Sequence, residues 1–454
     1  MIGGIYFPSI GPVSTANSNT QQPKAQMNVN IDSPFRWLGG KQLAVIGGGA
    51  AGIFCAVNAA RMNSSLKVIV VEKTSKLLSK VRVSGGGRCN VTHACFEIPA
   101  LVKKYPRGTN FLKKTFHQFN TNHCIAWFEE RGVKLKTEAD GRMFSVTDSS
   151  QTIIDCLLRE ANKYKVEILL NSEVRSLKYE ERKIILNVSG NMNLTSDFVC
   201  VACGGYPKSF MFEWLKTLYH TIEEPVPSLF TFNMPGNAIT QLMGVAVEKA
   251  SVKIVGSKLS DEGPLLITHW GMSGPAVLKL SAWGARELAD KNYHFTLLVN
   301  WVPSYNEQTL RDKWLSIRNV HSVQKIINSN PFSLPNRLWS YLLMESAIKE
   351  DQRWADLPAK EQNKLIKNLT AQEFEVKGKT TFKEEFVTCG GIKLNEVDPN
   401  TMKSKIVPNL FFAGEILDVD GVTGGFNFQH AWTSGWIAAN SISEILNKNS
   451  PPVT

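Results

Sequence analysis

Gly47, Gly49 and Gly52 stand in the spacing G-x-G-x-x-G, which suits a backbone turn pressed against the phosphates of a dinucleotide. Glycine at the first position permits the tight turn. At the second it lets the pyrophosphate approach the backbone, and at the third it lets the following helix pack on the preceding strand. A helix opening there, through Ala50 and Ala51, aims its free N–H groups at the phosphates. Glu72, twenty residues beyond Gly52 and followed by Lys73, can accept hydrogen bonds from both ribose hydroxyls, and it would repel a 2′-phosphate. A glycine turn in an unrelated α/β protein would show the three glycines without the strand before, the helix after and the acid at that distance.

More glycine-rich loops follow than adenosine diphosphate needs. Ser84-Gly85-Gly86-Gly87-Arg88-Cys89-Asn90 comes just after the first unit, Gly204-Gly205 ends a later apolar run, and Gly414-Glu415 precedes Gly421 to Gly425 near the C-terminus. FAD is longer than adenosine diphosphate and requires a ribitol acceptor and a ring cradle, and these loops supply both. No second G-x-G-x-x-G exists, so NADH or NADPH is expected to visit as a transient electron donor.

Two residues could move a proton. Cys89 follows Arg88, and a neighbouring cation lowers a thiol's pKa, although a small polar residue at a turn explains it equally well. His269 lies in the turn Thr268-His269-Trp270-Gly271-Met272-Ser273-Gly274-Pro275 rather than on an apolar face, and could donate a proton or bind substrate. Cys200 and Cys203 form a C-x-x-C, but positions three apart on a strand face opposite ways, so core packing is the expectation. The eight cysteines show no two-pair metal spacing and are read as reduced thiols, with no metal expected.

The elements that must hold these residues can be read from periodicity. Leu43-Ala44-Val45-Ile46 is an apolar run of the kind a strand buried on both faces shows, a helix follows from about Ala51 to Asn63, and Val68 to Val71 is a second such strand. Ile153 to Lys163 has helical spacing, Val166 to Leu170 and Ile184 to Val188 read as strands, and Phe198 to Ala202 reads as another buried strand. Short strands at 245–255, 265–268 and 294–299 precede a helical stretch from Ser304 to about Leu369, with Ser304 and Glu307 as a capping box and Pro358 in the first turn of a further helix. Leu410 to Ala413 is a last strand, and the final helix runs from about Gln429 to Leu446. The expected fold is α/β, with a Rossmann-like FAD-binding domain assembled from both chain ends (42–205 and 388–454). Inserted between them are a β-barrel-like part (206–303, returning at 370–387) and a small helical part (304–369). Residues 1–41, rich in Ser, Thr, Asn and Gln between 14 and 30, read as a flexible arm.

At 454 residues, 43% hydrophobic and 20% charged, the chain is of globular composition. No run of ~18 apolar residues and no basic-then-apolar start is present, so neither a membrane span nor a secretory signal is expected, and a cytoplasmic setting is. The net charge is +11 and is unevenly placed: residues 42–204 hold 23 basic residues against 14 acids. Ten of these (Lys73, Lys76, Lys80, Arg82, Arg88, Lys103, Lys104, Arg107, Lys113 and Lys114) lie between positions 73 and 114 with one acid, Glu97. A solvated face is the bland explanation. Two phosphates do not call for ten cations, however, and RNA is the partner that a basic stretch beside a flavin would suit.

Lys76 to Thr92, Thr268 to Pro275, and Phe412 to Gly421 with Gly424-Gly425-Phe426-Asn427 together resemble a bacterial flavoprotein family, that of the YhiN and HI0933-type proteins, over about residues 42 to 446. The resemblance implies that Gly47, Gly49, Gly52 and Glu72 hold the adenosine half of FAD, that Gly86, Gly87 and Arg88 lie along the pyrophosphate or flavin edge, and that Glu415 meets the ribitol. It also implies that Gly424 to Asn427 open a helix whose positive end faces the flavin N1–C2=O region. One departure is Cys203, where the family commonly has Thr. The activity implied is FAD-dependent reduction of a conjugated C=C, with uridine of ribosomal RNA as first candidate. Small-molecule alternatives are an enone reductase or an oxidase of aminoacetone-like amines, and a further alternative is a non-catalytic flavin-binding protein. Oligomeric state is not legible.

Overall fold

The computed structural model describes residues 40–381 and 387–448. The expected N-terminal arm, but for its last two residues, lies outside them. Five parallel strands form the central sheet in the order Leu410–Phe412, Phe198–Val201, Gln42–Ile46, Lys67–Val71, Glu167–Leu169. A parallel sheet is covered on both faces, which is why four of these strands are continuous apolar runs rather than alternating ones; the edge strand Glu167–Leu169 is part-exposed. The first edge strand comes from the C-terminal part of the chain, so both ends build one layer.

The helix Ala50–Met62 buries every residue from Ala51 to Ala60. It is enclosed because the final helix, Phe426–Lys448, closes over it: a Cβ on Gly435 would sit 2.7 Å from Ala51 O. The expected positions of both helices and all five strands agree with the structure to within a few residues. Short helices at Thr109–Phe116 and Thr121–Glu129, which the periodicity did not reveal, pack beneath the final helix.

The chain leaves this layer along Ile222–Ser228 and returns along Val387–Ile392, and these two strands pair antiparallel. Between them lies a seven-stranded antiparallel sheet whose edge strands are Gln372–Lys377 and Lys379–Thr380. Only Gly378 separates those two strands in the chain, so the sheet must curl until its edges meet, as in a barrel. A second hydrophobic core, drawn from Phe230 to Val376, fills this sheet and the helices Glu307–His321, Asn336–Glu345 and Ala359–Ala371, with Trp301, Trp314, Trp339 and Trp354 inside. Two local expectations are corrected here. The capping box uses Asn306 and Thr309, not Ser304 and Glu307, because the chain stays extended two residues longer. Pro358 is the residue before its helix, with φ −71° and ψ 152°, not a member of the first turn.

An ion pair joins the two layers. Arg107 Nε and Nη2 donate to the carboxylate of the fully buried Asp420, which also accepts from Ser228 Oγ at 2.6 Å, and Nη2 reaches Ala282 O at 2.8 Å. Among the described residues, no helix is long and apolar enough to cross a membrane.

Candidate active site

A cavity of about 650 Å³ runs across the carboxyl ends of the parallel strands, between the central sheet and the curled sheet. This is where an open α/β sheet exposes the turns between strand and helix. Of the residues expected to hold the cofactor, Gly47, Gly49, Ala50, Ala51, Glu72, Lys73, Asn90, Gly204, Gly414, Glu415, Gly424, Gly425 and Asn427 line it. They come from six separate segments of the chain, brought together by the fold.

At one end the helix Ala50–Met62 begins with Gly49 at its N-cap and no side chain on its first N–H groups. A Cβ on Gly49 would meet nothing within 4 Å, so the turn leaves open space where a phosphate could press. Gly52 lies behind the turn, outside the cavity: a Cβ there would sit 1.9 Å from Gly47 O, which is the helix-on-strand contact that the third glycine permits. Glu72 is braced at this end, accepting from Gly48 N at 2.7 Å and from Thr74 N and Oγ1 at 2.9 and 2.8 Å. Oε1 is filled by the two Thr74 donors, and Oε2, with one donor, keeps acceptor capacity for a ribose hydroxyl.

Midway, Glu415 Oε1 accepts from Thr388 N at 2.9 Å and Oε2 from Lys80 Nζ at 2.7 Å. At the far end two glycine loops are tied together by Asn90, which donates to Thr92 O at 2.9 Å and accepts from Gly425 N at 3.0 Å. Asn427 closes the other loop, accepting from Gly421 N at 2.7 Å and donating to Gly421 O at 3.0 Å. Beneath Asn427, His430 is buried against Gly414 O, and burial pulls its imidazole down to about 4, so it is neutral at physiological pH.

Five expected residues stand apart from the lining. Gly86 and Gly87 are exposed, and Ser84 and Gly85 line the cavity in their place. Arg88 turns to Glu138, donating from Nη1 to Oε1 at 2.6 Å, and lies 4.0 Å over the Phe144 ring. Phe426 is buried behind the loop, stacked on His93 at 4.6 Å and accepting at its carbonyl from Tyr105 Oη at 2.7 Å. Gly52 is the fifth.

Both expected proton donors fall outside the lining. Cys89 is fully buried, and burial pushes its thiol up to about 12 despite a hydrogen bond with Ser84 that acts the other way. Its positive φ of 59° marks a turn residue, and burial, not the neighbouring Arg88, sets its thiol. His269 is exposed at the tip of the hairpin Ser260–Thr268/Gly271–Ser273, edge-on to Trp270 at 4.4 Å. From that motif it is Ser273 that reaches the cavity, beside Thr231 of the neighbouring strand. Cys200 packs in the core as expected, whereas Cys203, past the strand end, lines the cavity with its thiol raised to about 11 by burial.

Periodicity also left out Arg142, Thr231 and Leu278, which line the cavity from segments with no glycine signature. No local signal in the chain marks them, because only the closure of the second sheet over the first brings them there.

The parts fit FAD in order along the cavity: a bare helix N-terminus and open glycine turn for the diphosphate, one braced carboxylate on each side of it, and a glycine-lined end beside Arg142. The HI0933-like protein Rossmann domain matches residues 41–441. The ribosomal RNA dihydrouridine synthase of Escherichia coli is 30% identical over 408 residues, spanning 88% of this chain and 97% of that protein. The protein of the same description from Haemophilus influenzae is 28% identical, spanning 88% and 98%. The 3-dehydro-bile acid delta(4,6)-reductase of Clostridium scindens is 24% identical, spanning 89% and 99%. The chain is therefore a member of the HI0933-like family of FAD-dependent oxidoreductases.

Proposed function

We propose that the chain reduces a C=C bond conjugated to a carbonyl, with uridine of ribosomal RNA as substrate and dihydrouridine as product, in a cytoplasmic setting. When bound and reduced, FAD supplies the hydride for such a bond. Gly47, Gly49, Ala50 and Ala51 would hold its diphosphate, Glu72 and Lys73 its adenosine ribose, Gly204, Gly414 and Glu415 its ribitol, and Asn90 and Gly424 to Asn427 its ring end. NADH or NADPH would visit transiently as the electron source. Thr231 and Ser273 line the cavity from the second sheet, and Leu278 from the helix Pro275–Trp283 beside it. The Ser273 hydroxyl can pass a solvent proton to the substrate carbon, a task that Cys89 and His269 are not placed to do.

The observation that carries the RNA reading is the state of the basic stretch. Arg107 and Arg88 are held by acids, and Lys80 pairs with Glu415. Lys73, Lys76, Lys103, Lys104, Lys113 and Lys114 are exposed, and none has an ion pair among the described residues. Lys73 and Lys76 line the cavity, and the Lys104 carbonyl accepts from Val422 N, in the loop that lines its ring end. Unneutralised lysines beside the opening favour a polyanion. The relatives named as ribosomal RNA dihydrouridine synthases support the same substrate.

A small conjugated enone is the second reading, favoured by the relative named as a bile acid reductase. An amine oxidase would want few cations at the ring end, and Arg142 stands there. The deciding experiment compares dihydrouridine in ribosomal RNA from cells with and without the gene. Loss of one modified uridine is expected on deletion, and an unchanged content would refute the RNA substrate.

A further inference from the structure

We infer that Arg142 is the residue that binds the substrate carbonyl and holds the charge that develops on its oxygen. This rests on the proposed reduction of a conjugated C=C. Arg142 opens the strand Arg142–Ser145, in register with His93, and lines the cavity. It stands at the ring end: Gly141 backs onto the His93 ring, His93 stacks on Phe426, and the neighbouring residue Met143 abuts Asn90, which ties the two glycine loops together. Among the described residues, no other lysine, arginine or histidine from the segments flanking that end lines the cavity there. Lys73, Lys76 and Lys80 belong to the segments around Glu72 and Glu415, and His430 is neutral.

The guanidinium is held on one edge. Nε donates to Asp140 Oδ2 at 2.7 Å and Nη2 to Glu138 Oε2 at 3.0 Å, and Glu138 is itself fixed by Arg88. Arg142 Cζ stands 5.5 Å from the centroid of the Phe144 ring. Nη1 has no hydrogen-bond partner among the described residues, so both of its N–H donors remain, with the second N–H of Nη2, on a group that cannot rotate without breaking two charge-assisted bonds. Two carboxylates at its back offset much of its positive charge. A fully charged phosphate or carboxylate gains less from such a group than from an isolated arginine, whereas a carbonyl oxygen gains a directed donor whose worth rises as the oxygen becomes anionic.

The step balances with the reductant already proposed. Hydride forms a C–H bond at the carbon β to the carbonyl, the C=C pair shifts towards the carbonyl, and the carbonyl π pair moves onto oxygen, where Nη1–H holds it. A proton from water then adds at the α carbon and restores C=O. In uracil, C6 and C4=O occupy these positions.

The test uses full-length holoprotein, reduced anaerobically and mixed with 2-cyclohexen-1-one, with flavin reoxidation as one readout and FAD affinity and flavin reduction potential as the others. For Arg142→Ala we expect reoxidation slowed about 100-fold, FAD affinity within about twofold of wild type, an unchanged potential, and partial recovery with added guanidinium. Arg142→Lys, which keeps charge without the fork, is expected to recover only part of the rate and covers the case in which the alanine variant folds poorly. An unchanged reoxidation rate overturns the assignment. So does a matching fall in FAD affinity or potential, which would put Nη1 on the cofactor instead. If wild type reduces neither the enone nor uridine in RNA, the reading of a conjugated C=C reductase fails first.

Discussion

The same substitution at two glycines three residues apart should have opposite consequences. Gly49→Ala places a methyl in open space at φ −83°, a conformation alanine adopts without strain. Its effect on the folded chain alone is the difference between Gly and Ala at an N-cap, about 1 kcal/mol at most. With the diphosphate in place the methyl stands between phosphate and the bare N–H groups, and loss of one charge-assisted hydrogen bond removes about 1.5–3 kcal/mol, or roughly 10- to 100-fold in FAD affinity. Gly52→Ala instead drives a methyl to 1.9 Å from Gly47 O and 3.3 Å from Val45 Cγ1. Ordinary contact requires the helix to retreat by about 1.5 Å from a strand packed on both faces, a cost at or above the ~1–3 kcal/mol typical of overpacking. Urea unfolding of the apoprotein and fluorescence titration with FAD separate the two. Gly49→Ala should keep its midpoint and lose FAD, and Gly52→Ala should lose its midpoint. Wild-type FAD affinity in Gly49→Ala would refute the placement of the diphosphate at this helix.

Other outcomes follow from the same geometry. Arg107→Met leaves the Asp420 carboxylate buried without its partner, and should destabilise the protein by about 3–5 kcal/mol in equilibrium unfolding. His430, neutral in the fold with a value of about 4 against an ordinary 6.5, binds a proton more readily when unfolded. Its contribution is therefore intact above pH 6.5 and is lost as pH falls towards 4, by about 3 kcal/mol, and His430→Phe should flatten that stretch of the stability–pH curve. If six lysines meet phosphates of single-stranded RNA, log K against log salt should fall with a slope of about −4, and replacing Lys103, Lys104, Lys113 and Lys114 by alanine should leave about −1.4. A slope unchanged by that replacement would remove these four from the RNA path.

The phosphate end of the cavity was legible because its physics is local. A tight turn, a close approach and a helix N-terminus are properties of consecutive residues, and a parallel strand buried on both faces declares itself as an unbroken apolar run. Gly47 to Gly52, Glu72 and the strands that lead into them could thus be read along the chain. Individual roles at the ring end could not. Arg88 and Arg142 share one acid, Glu138, and only the pairing of Thr92–His93 with Arg142–Ser145 decides which of the two turns inward. Cys89 beside a cation looked reactive in one dimension, but burial in three dimensions raises its thiol out of reach. His269 sits in the motif that carries the resemblance, yet the alternation of a hairpin sends Ser273 to the cavity and leaves His269 at the tip. Sequence determined the elements and the phosphate turn, since those depend on neighbours along the backbone. Tertiary structure decided which side chains face the reacting bond, since that depends on two sheets, distant in the chain, closing over one another.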